Sequence, residues 1–171
     1  MPIAWVHALF RLTPPLQSLI HGLKYEHYRR HARFLCAHLR YRPVFRERMG
    51  FPDATVPVPL HSARKRERGY NQSELIAEGL QKQVGLLFLR KALKRVRFTS
   101  TQTKLGGEAR AKNLRGAFQA DITQVQGKKL LLVDDVCTTG STLEECRQEL
   151  MRAGATEVGA FVLAWVERQG P

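Results

Sequence analysis

The residues that could do chemistry are concentrated in one stretch, Lys129 to Thr142, which reads Lys-Leu-Leu-Leu-Val-Asp-Asp-Val-Cys-Thr-Thr-Gly-Ser-Thr. Two adjacent carboxylates, Asp134 and Asp135, end an apolar run. Small hydroxyl-bearing residues centred on Gly140 follow, from Thr138 to Thr142. A glycine lets backbone N–H groups turn inward, and threonine and serine hydroxyls add donors, so this loop has the chemistry of a phosphate cradle. A helix beginning near Ser141 would aim its positive end at the same point.

The elements that must hold these groups can be read on either side. Leu130 to Val133 form a short continuous apolar run, the pattern of a parallel strand buried on both faces. The acids then fall at the strand's C-terminal edge, where open α/β sheets bind ligands. Downstream, Leu143, Cys146, Leu150 and Ala153 recur on one helical face, and Gly154 suits a C′ position. An ordinary strand ending in a solvated Asp-Asp turn would need the whole ordered run by coincidence.

Four aliphatics, two acids and Thr-Thr-Gly-Ser-Thr resemble the phosphoribosyl pyrophosphate (PRPP) signature of type I phosphoribosyltransferases, over 130 to 142. The resemblance implies that Asp134 and Asp135 contact the ribose hydroxyls. It places the 5′-phosphate on Cys137, Thr138, Thr139, Gly140, Ser141 and Thr142. Cys137 has neighbours that could make it reactive, against the simpler role of a small buried filler.

Pro-Val-Pro-Leu at 57 to 60, then Arg-Gly-Tyr-Asn-Gln at 68 to 72, resemble the ComF branch of these transferases and amidophosphoribosyltransferases. In that pattern the segment after the strand grips pyrophosphate. Leu60, His61 and Ser62 would supply a loop backbone, and Arg64 or Arg68 the cation that stabilises charge on the departing group. Related loops often contain a non-proline cis peptide, expected here within Leu60 to Ser62. Prolines at 57 and 59 predict a strand that pairs only near its start. A helix is predicted from about Asn71, which stands three residues before Glu74 in a capping-box-like spacing.

Ile20-His21-Gly22-Leu23-Lys24-Tyr25 is similar to the ComF segment Ile-His-x-x-Lys-Tyr, and residues 98 to 118 to Thr-x-x-Gln-x-x-Leu followed by Arg-x-x-Asn. The second stretch implies a lid whose Lys104 and Arg110 close over pyrophosphate; a polar surface loop is the alternative. Helical spacing from Thr13-Pro14-Pro15 onward, and again from Arg29 to Tyr41, predicts two helices, and the resemblance to the type I fold implies that residues 1 to 50 form an N-terminal helical hood over the acceptor. The family's four-cysteine zinc module has no counterpart in these residues.

Composition limits the wider reading. At 171 residues, with 43% apolar and 25% charged residues, the chain is expected to be a single globular domain with its core in 51 to 171. No apolar run approaches the ~20 residues of a membrane span, and no signal-peptide pattern opens the chain, so a cytoplasmic protein is the default expectation. Cys36, Cys137 and Cys146 form neither a disulfide framework nor a zinc motif. The net charge of +13 is concentrated: Lys and Arg outnumber acids by eight to two in 21–48, four to one in 64–68 and nine to one in 90–115. That charge makes polyanions, whether polyphosphorylated metabolites or nucleic acid, suitable partners.

The expected fold is α/β, the type I phosphoribosyltransferase fold with a largely parallel sheet of about five strands flanked by helices. Its surest strands lie near 54–59, 129–133 and 157–165. The resemblance implies PRPP, or a ribose-5-phosphate-containing nucleotide, as ligand. Mg²⁺ would be held mostly through water or substrate beside Asp134 and Asp135, and the phosphoribosyl group would pass to a nitrogenous acceptor with release of pyrophosphate. The other expectation is a binding adaptor, whose basic faces contact single-stranded DNA or competence-machinery proteins.

Overall fold

The computed structural model of the chain describes residues 5–22, 52–97 and 113–166. In chain order its elements are β1 (Val6–Arg11), α1 (Pro14–Gly22), β2 (Ala54–Pro57), α2 (Ser62–Arg68), α3 (Gln72–Val84), β3 (Leu87–Phe88), β4 (Leu93–Arg95), β5 (Phe118–Ala120), α4 (Ile122–Val125), β6 (Lys129–Cys137), α5 (Ser141–Arg152) and β7 (Glu157–Trp165).

Two apolar runs explain the centre. Leu130 to Val133 and Val158 to Leu163 are buried on both faces, which a strand can satisfy only inside a covered sheet. They pair in parallel as β6 and β7. The sheet has five strands in the order β1-β7-β6-β2-β3, and every neighbouring pair is parallel. On one face Leu130, Leu132, Val158, Ala160 and Val162 meet Leu143, Cys146 and Leu150 of α5. On the other, Leu131, Val133, Phe161 and Leu163 meet Ile76, Ala77 and Leu80 of α3 and Ile20 of α1. Each fully buried Leu or Phe contributes about 1.5–3 kcal/mol relative to exposure, so these rows fix the register of the site-bearing strands.

Several expectations are corrected. The acid pair does not follow the end of a strand at 133: β6 continues to Cys137, paired with β7 as far as Trp165. The pairing with β2 does stop near Val133, so the acids stand at a one-sided edge. Val6–Arg11 is a strand of the core sheet, parallel to β7, and was not foreseen. Its start is tightly packed, because a Cβ on Gly159 would lie 2.4 Å from two carbons of the Trp5 ring. Residues 1–4 and 23–50, the rest of the expected hood, lie outside the described residues.

The prolines of β2 act more narrowly than predicted. β2 pairs with β6 from Ala54 to Pro57, and Val58 N–H donates to the Val133 carbonyl at 2.9 Å. The Thr55 carbonyl accepts from Leu89 on the opposite side. Pro57 has the parity of Thr55, so its missing N–H falls on the β3 side, where pairing ends at Thr55 with Phe88.

The basic stretch expected as a loop is helix α2. His61 caps it, its Nδ1 accepting from the Ala63 N–H at 3.3 Å, and Gly69 closes it at φ 75°. Residues 93–95 and 118–120 form a separate antiparallel ribbon, β4 with β5. α5 holds its exit strand: Glu145 accepts from the Gly116 N–H at 2.6 Å, and Glu149 from that of Ala120 at 3.2 Å.

Candidate functional site

The site is assembled at the C-terminal ends of β6 and β2, where two crossovers begin. From the β6 side, Asp134, Val136, Cys137 and the loop Thr138–Thr142 line a cavity together with Leu143. Gly140 makes the turn possible, with φ 78° at the position preceding α5. It provides no side-chain cap, so the first-turn N–H groups of α5 face the loop. The Thr139 and Ser141 hydroxyls lie 2.9 Å apart, and the Ser141 N–H donates to Thr139 Oγ1 at 3.4 Å. A tight turn lined with hydroxyls and amides at the start of a twelve-residue helix is suited to an oxyanion. The hydroxyl loop and the acid Asp134 are thus brought to one cavity.

The acids are held from two directions. Asp134 Oδ1 accepts from the Ser73 hydroxyl and from the Asp135 N–H, both at 2.9 Å. Asp135 accepts from the Val136 N–H at 2.7 Å and from Gln72 Nε2 at 3.4 Å. Burial, and next the negative charge of Asp135, push the Asp134 carboxyl up to about 8. Two crowded carboxylates, one of them protonated near neutrality, form a site that a positive charge would relieve.

Gln72 and Ser73 were not foreseen as site residues. The available signal was polar residues in the first turn of an amphipathic helix, on its buried face; both are buried, as is Asn71. Asn71 positions them: its Oδ1 caps α3 by accepting from the Ser73 N–H at 3.1 Å, and its Nδ2 donates to the Val58 carbonyl at 2.9 Å. The capping box does not form, because Glu74 pairs instead with Lys65 at 2.6 Å.

The predicted pyrophosphate residues divide. Leu60 and His61 lie at the end of β2, and Ser62 opens α2. The expected cis peptide is absent: no described residue has one, and His61 turns the chain through an extended conformation, φ −63° and ψ 144°. Arg68 reaches the acid network, donating to Gln72 Oε1 at 3.5 Å while Gln72 donates onward to Asp135. Arg64 faces another cation that sequence reasoning missed, Arg95 of β4. Arg95 lies over the Phe118 ring at 5.5 Å and feels both Arg64 and the opposite charge of Asp134. Burial is the main cause pulling the Arg95 pKa down. Lys104 and Arg110 lie outside the described residues.

Cys137 and Cys146 are free and buried. Burial, then the charge of Asp134, push the Cys137 thiol up to about 11 and raise Cys146 further above the ordinary range. The filler role fits both. Among the described residues no group of three His, Cys, Asp or Glu side chains gathers as a metal cluster, and no helix is long and apolar enough to cross a membrane.

The chain is similar to known proteins over most of its length. The phosphoribosyl transferase domain family matches residues 56–170. The DNA utilization protein YhgH of Salmonella typhi is 39% identical over 154 residues, which cover 88% of this chain and 67% of that protein. Competence protein F of Haemophilus influenzae is 36% identical over 157 residues, 88% and 68% of the two chains. Among solved structures, glutamine PRPP amidotransferase from B. subtilis, complexed with ADP and GMP, superposes with a TM-score of 0.52 at 21% identity. That match covers 77% of this chain and 26% of the other, and bears on the fold alone. With sheet order, cradle and these relatives in agreement, the chain belongs to the phosphoribosyl transferase domain family, in the ComF branch that includes the YhgH and competence F proteins.

Proposed function

We propose that the protein binds PRPP at the ends of β2 and β6 and transfers its phosphoribosyl group to a nitrogenous acceptor, releasing pyrophosphate. One observation carries this reading: Asp134, with Asp135 next to it in the strand, and the hydroxyl-lined loop meet at one cavity at the start of α5, which Asp134 and the loop line. In this scheme Thr138–Thr142 hold the 5′-phosphate, while Asp134 and Asp135 hold the ribose hydroxyls and favour positive charge on the sugar. Backbone from Leu60 to Ser62, with Arg64 and Arg68, takes the pyrophosphate; Lys104 and Arg110 belong to the same proposal. The C1–O bond to pyrophosphate breaks, its electron pair leaving with the phosphate oxygen, as the acceptor nitrogen bonds to C1 and loses its proton. No nucleophile on the protein is needed.

The donor set fits Mg²⁺ taken up with substrate. Two crowded carboxylates, with no third His, Cys, Asp or Glu gathered beside them among the described residues, suit a cation that keeps waters and substrate oxygens, and when bound it would neutralise pyrophosphate charge. Calorimetric titration with PRPP, with and without Mg²⁺, on wild type and Asp134→Asn/Asp135→Asn tests the assignment. Binding is expected for wild type and a large loss for the variant; no heat from wild type in any condition would sink the assignment. Pyrophosphate release across a panel of bases then tests transfer.

The names of the relatives, with Lys65 and Arg66 exposed on α2, favour a second reading: an adaptor for DNA uptake or use that binds PRPP without turnover. Binding to single-stranded DNA should then weaken steeply between low and moderate salt. No DNA binding at low salt removes this reading.

A further inference from the structure

The strand order carries information about the acceptor. In the proposed function, pyrophosphate sits over the end of β2 and the ribose over the end of β6; β7 is the strand on the other side of β6. A nucleophile that displaces pyrophosphate in line must approach C1 from the face opposite the leaving group. The acceptor therefore comes from the β7 side.

The last residue of β7 is Trp165, and it is 39% exposed, one of few large apolar side chains left open among the described residues. It stands in register with Cys137, one strand spacing away, about 5 Å between backbones. Paired residues of parallel strands point to the same side of the sheet, and Cys137 lines the cavity. On the far side of Trp165, in register with it, is the exposed Arg11 of β1. The backbone beneath is pinned: the Leu12 N–H donates to the Trp165 carbonyl at 2.9 Å, and the Val166 N–H to that of Cys137 at 3.0 Å. An exposed indole on a fixed strand end, flanked by a guanidinium, is a surface for a flat, electron-poor ring bearing hydrogen-bond acceptors.

We propose that Trp165 is the stacking platform for the planar ring of a nucleobase on the acceptor side of the ribose, with Arg11 at the ring's edge. This rests on the PRPP reading above. It makes Trp165 a specificity residue that touches neither phosphate.

Trp5 and Trp165 are the chain's only tryptophans, so a Trp5→Phe background isolates the signal of Trp165. PRPP-saturated protein is titrated with adenine, guanine, hypoxanthine and uracil, and separately with a thymidine oligonucleotide. Quenching of Trp165 by at least one is expected; free bases identify a soluble acceptor, and the oligonucleotide alone a base carried in single-stranded DNA. Trp165→Ala, in the chain with Trp5 intact, should weaken binding of the responding probe on the order of tenfold in calorimetry, with PRPP affinity within about twofold and Trp165→Phe recovering most of the loss. If wild type fails to bind PRPP, the reading beneath this proposal fails and the proposal falls with it. If PRPP binds but no probe quenches Trp165, or Trp165→Ala binds the probe as wild type does, only the stacking assignment is overturned.

Discussion

Asp134→Asn should make the ligand-free protein more stable, and by an amount that depends on pH. The substitution keeps the shape of the side chain, and the amide oxygen can still accept from Ser73 and from the Asp135 N–H, the two bonds that Asp134 Oδ1 holds at 2.9 Å. What it removes is the cost of ionising a crowded carboxyl. In the unfolded chain this acid titrates near 3.8, and in the fold burial and the charge of Asp135 raise it to about 8. Between those values the native state holds more protons than the unfolded state, so wild-type stability falls as pH rises from about 4, and the loss is complete above about pH 8. Taken whole, that interval corresponds to about 6 kcal/mol. Asp134 opens onto the cavity, where water screens it, so the gain realised at pH 8.5 should be about 2–3 kcal/mol. For a chain of this size that raises Tm by roughly 5–10 °C. Urea and thermal unfolding in metal-free buffer at pH 5 and pH 8.5 measure it. The gain at pH 5 should be less than half that at pH 8.5, and a gain of equal size at both values would refute the electrostatic cause. The same variant should lose PRPP binding, so one substitution separates what the fold prefers from what the site requires.

Three further outcomes follow from local geometry. Gly159→Ala puts a methyl group 2.4 Å from the Trp5 ring and should cost about 1–3 kcal/mol by denaturant titration. In a Trp5→Ala background the cost should largely vanish; its persistence would show that the ring is not the cause. Asn71→Ala removes both the α3 cap and the bond to the Val58 carbonyl and should cost about 2 kcal/mol, with weaker PRPP binding because Gln72 and Ser73 lose their anchor. Unchanged ligand affinity at reduced stability would disconnect Asn71 from the site. In a Cys36→Ser background, Cys137 and Cys146 should react with a thiol reagent at pH 8 only at the rate of local opening, since burial keeps both thiols protonated. Rapid labelling of Cys137 in the folded protein would contradict its buried placement.

The apolar run of β6, the cradle and α5 were legible because each rests on local chemistry: aliphatics without a break, a glycine flanked by hydroxyls, an apolar stripe at helical spacing. What was not legible depended on partners distant in sequence. Asp134 to Cys137 look like a loop in isolation, and they are strand only because β7 offers pairing partners out to Trp165. Val6–Arg11 contains His7 and Arg11 and lacks a clean alternation, so its place beside β7 came from the sheet. Arg64 to Arg68 have no apolar period at all; His61 and Gly69 supplied the two caps of a short helix that charge counting hid. Gln72 and Ser73 read as a helix start, and their contacts with the acids join residues about sixty positions apart. Arg95 was counted among the charges of 90–115 and gained its meaning when β4 and β5 paired.

Pro57 has a consequence beyond its own strand. A residue with an amide hydrogen at that position would offer a donor to the chain leaving Phe88, inviting β3 to extend alongside β2 toward the Leu60–Ser62 turn. With proline there the invitation is withdrawn, and β3 stops at two residues. An imino acid thus acts as a boundary marker. It ends the sheet on one flank at the level where the chain must leave regular pairing to meet a ligand, and frees the end of β2 to be occupied by side chains and solutes instead of backbone.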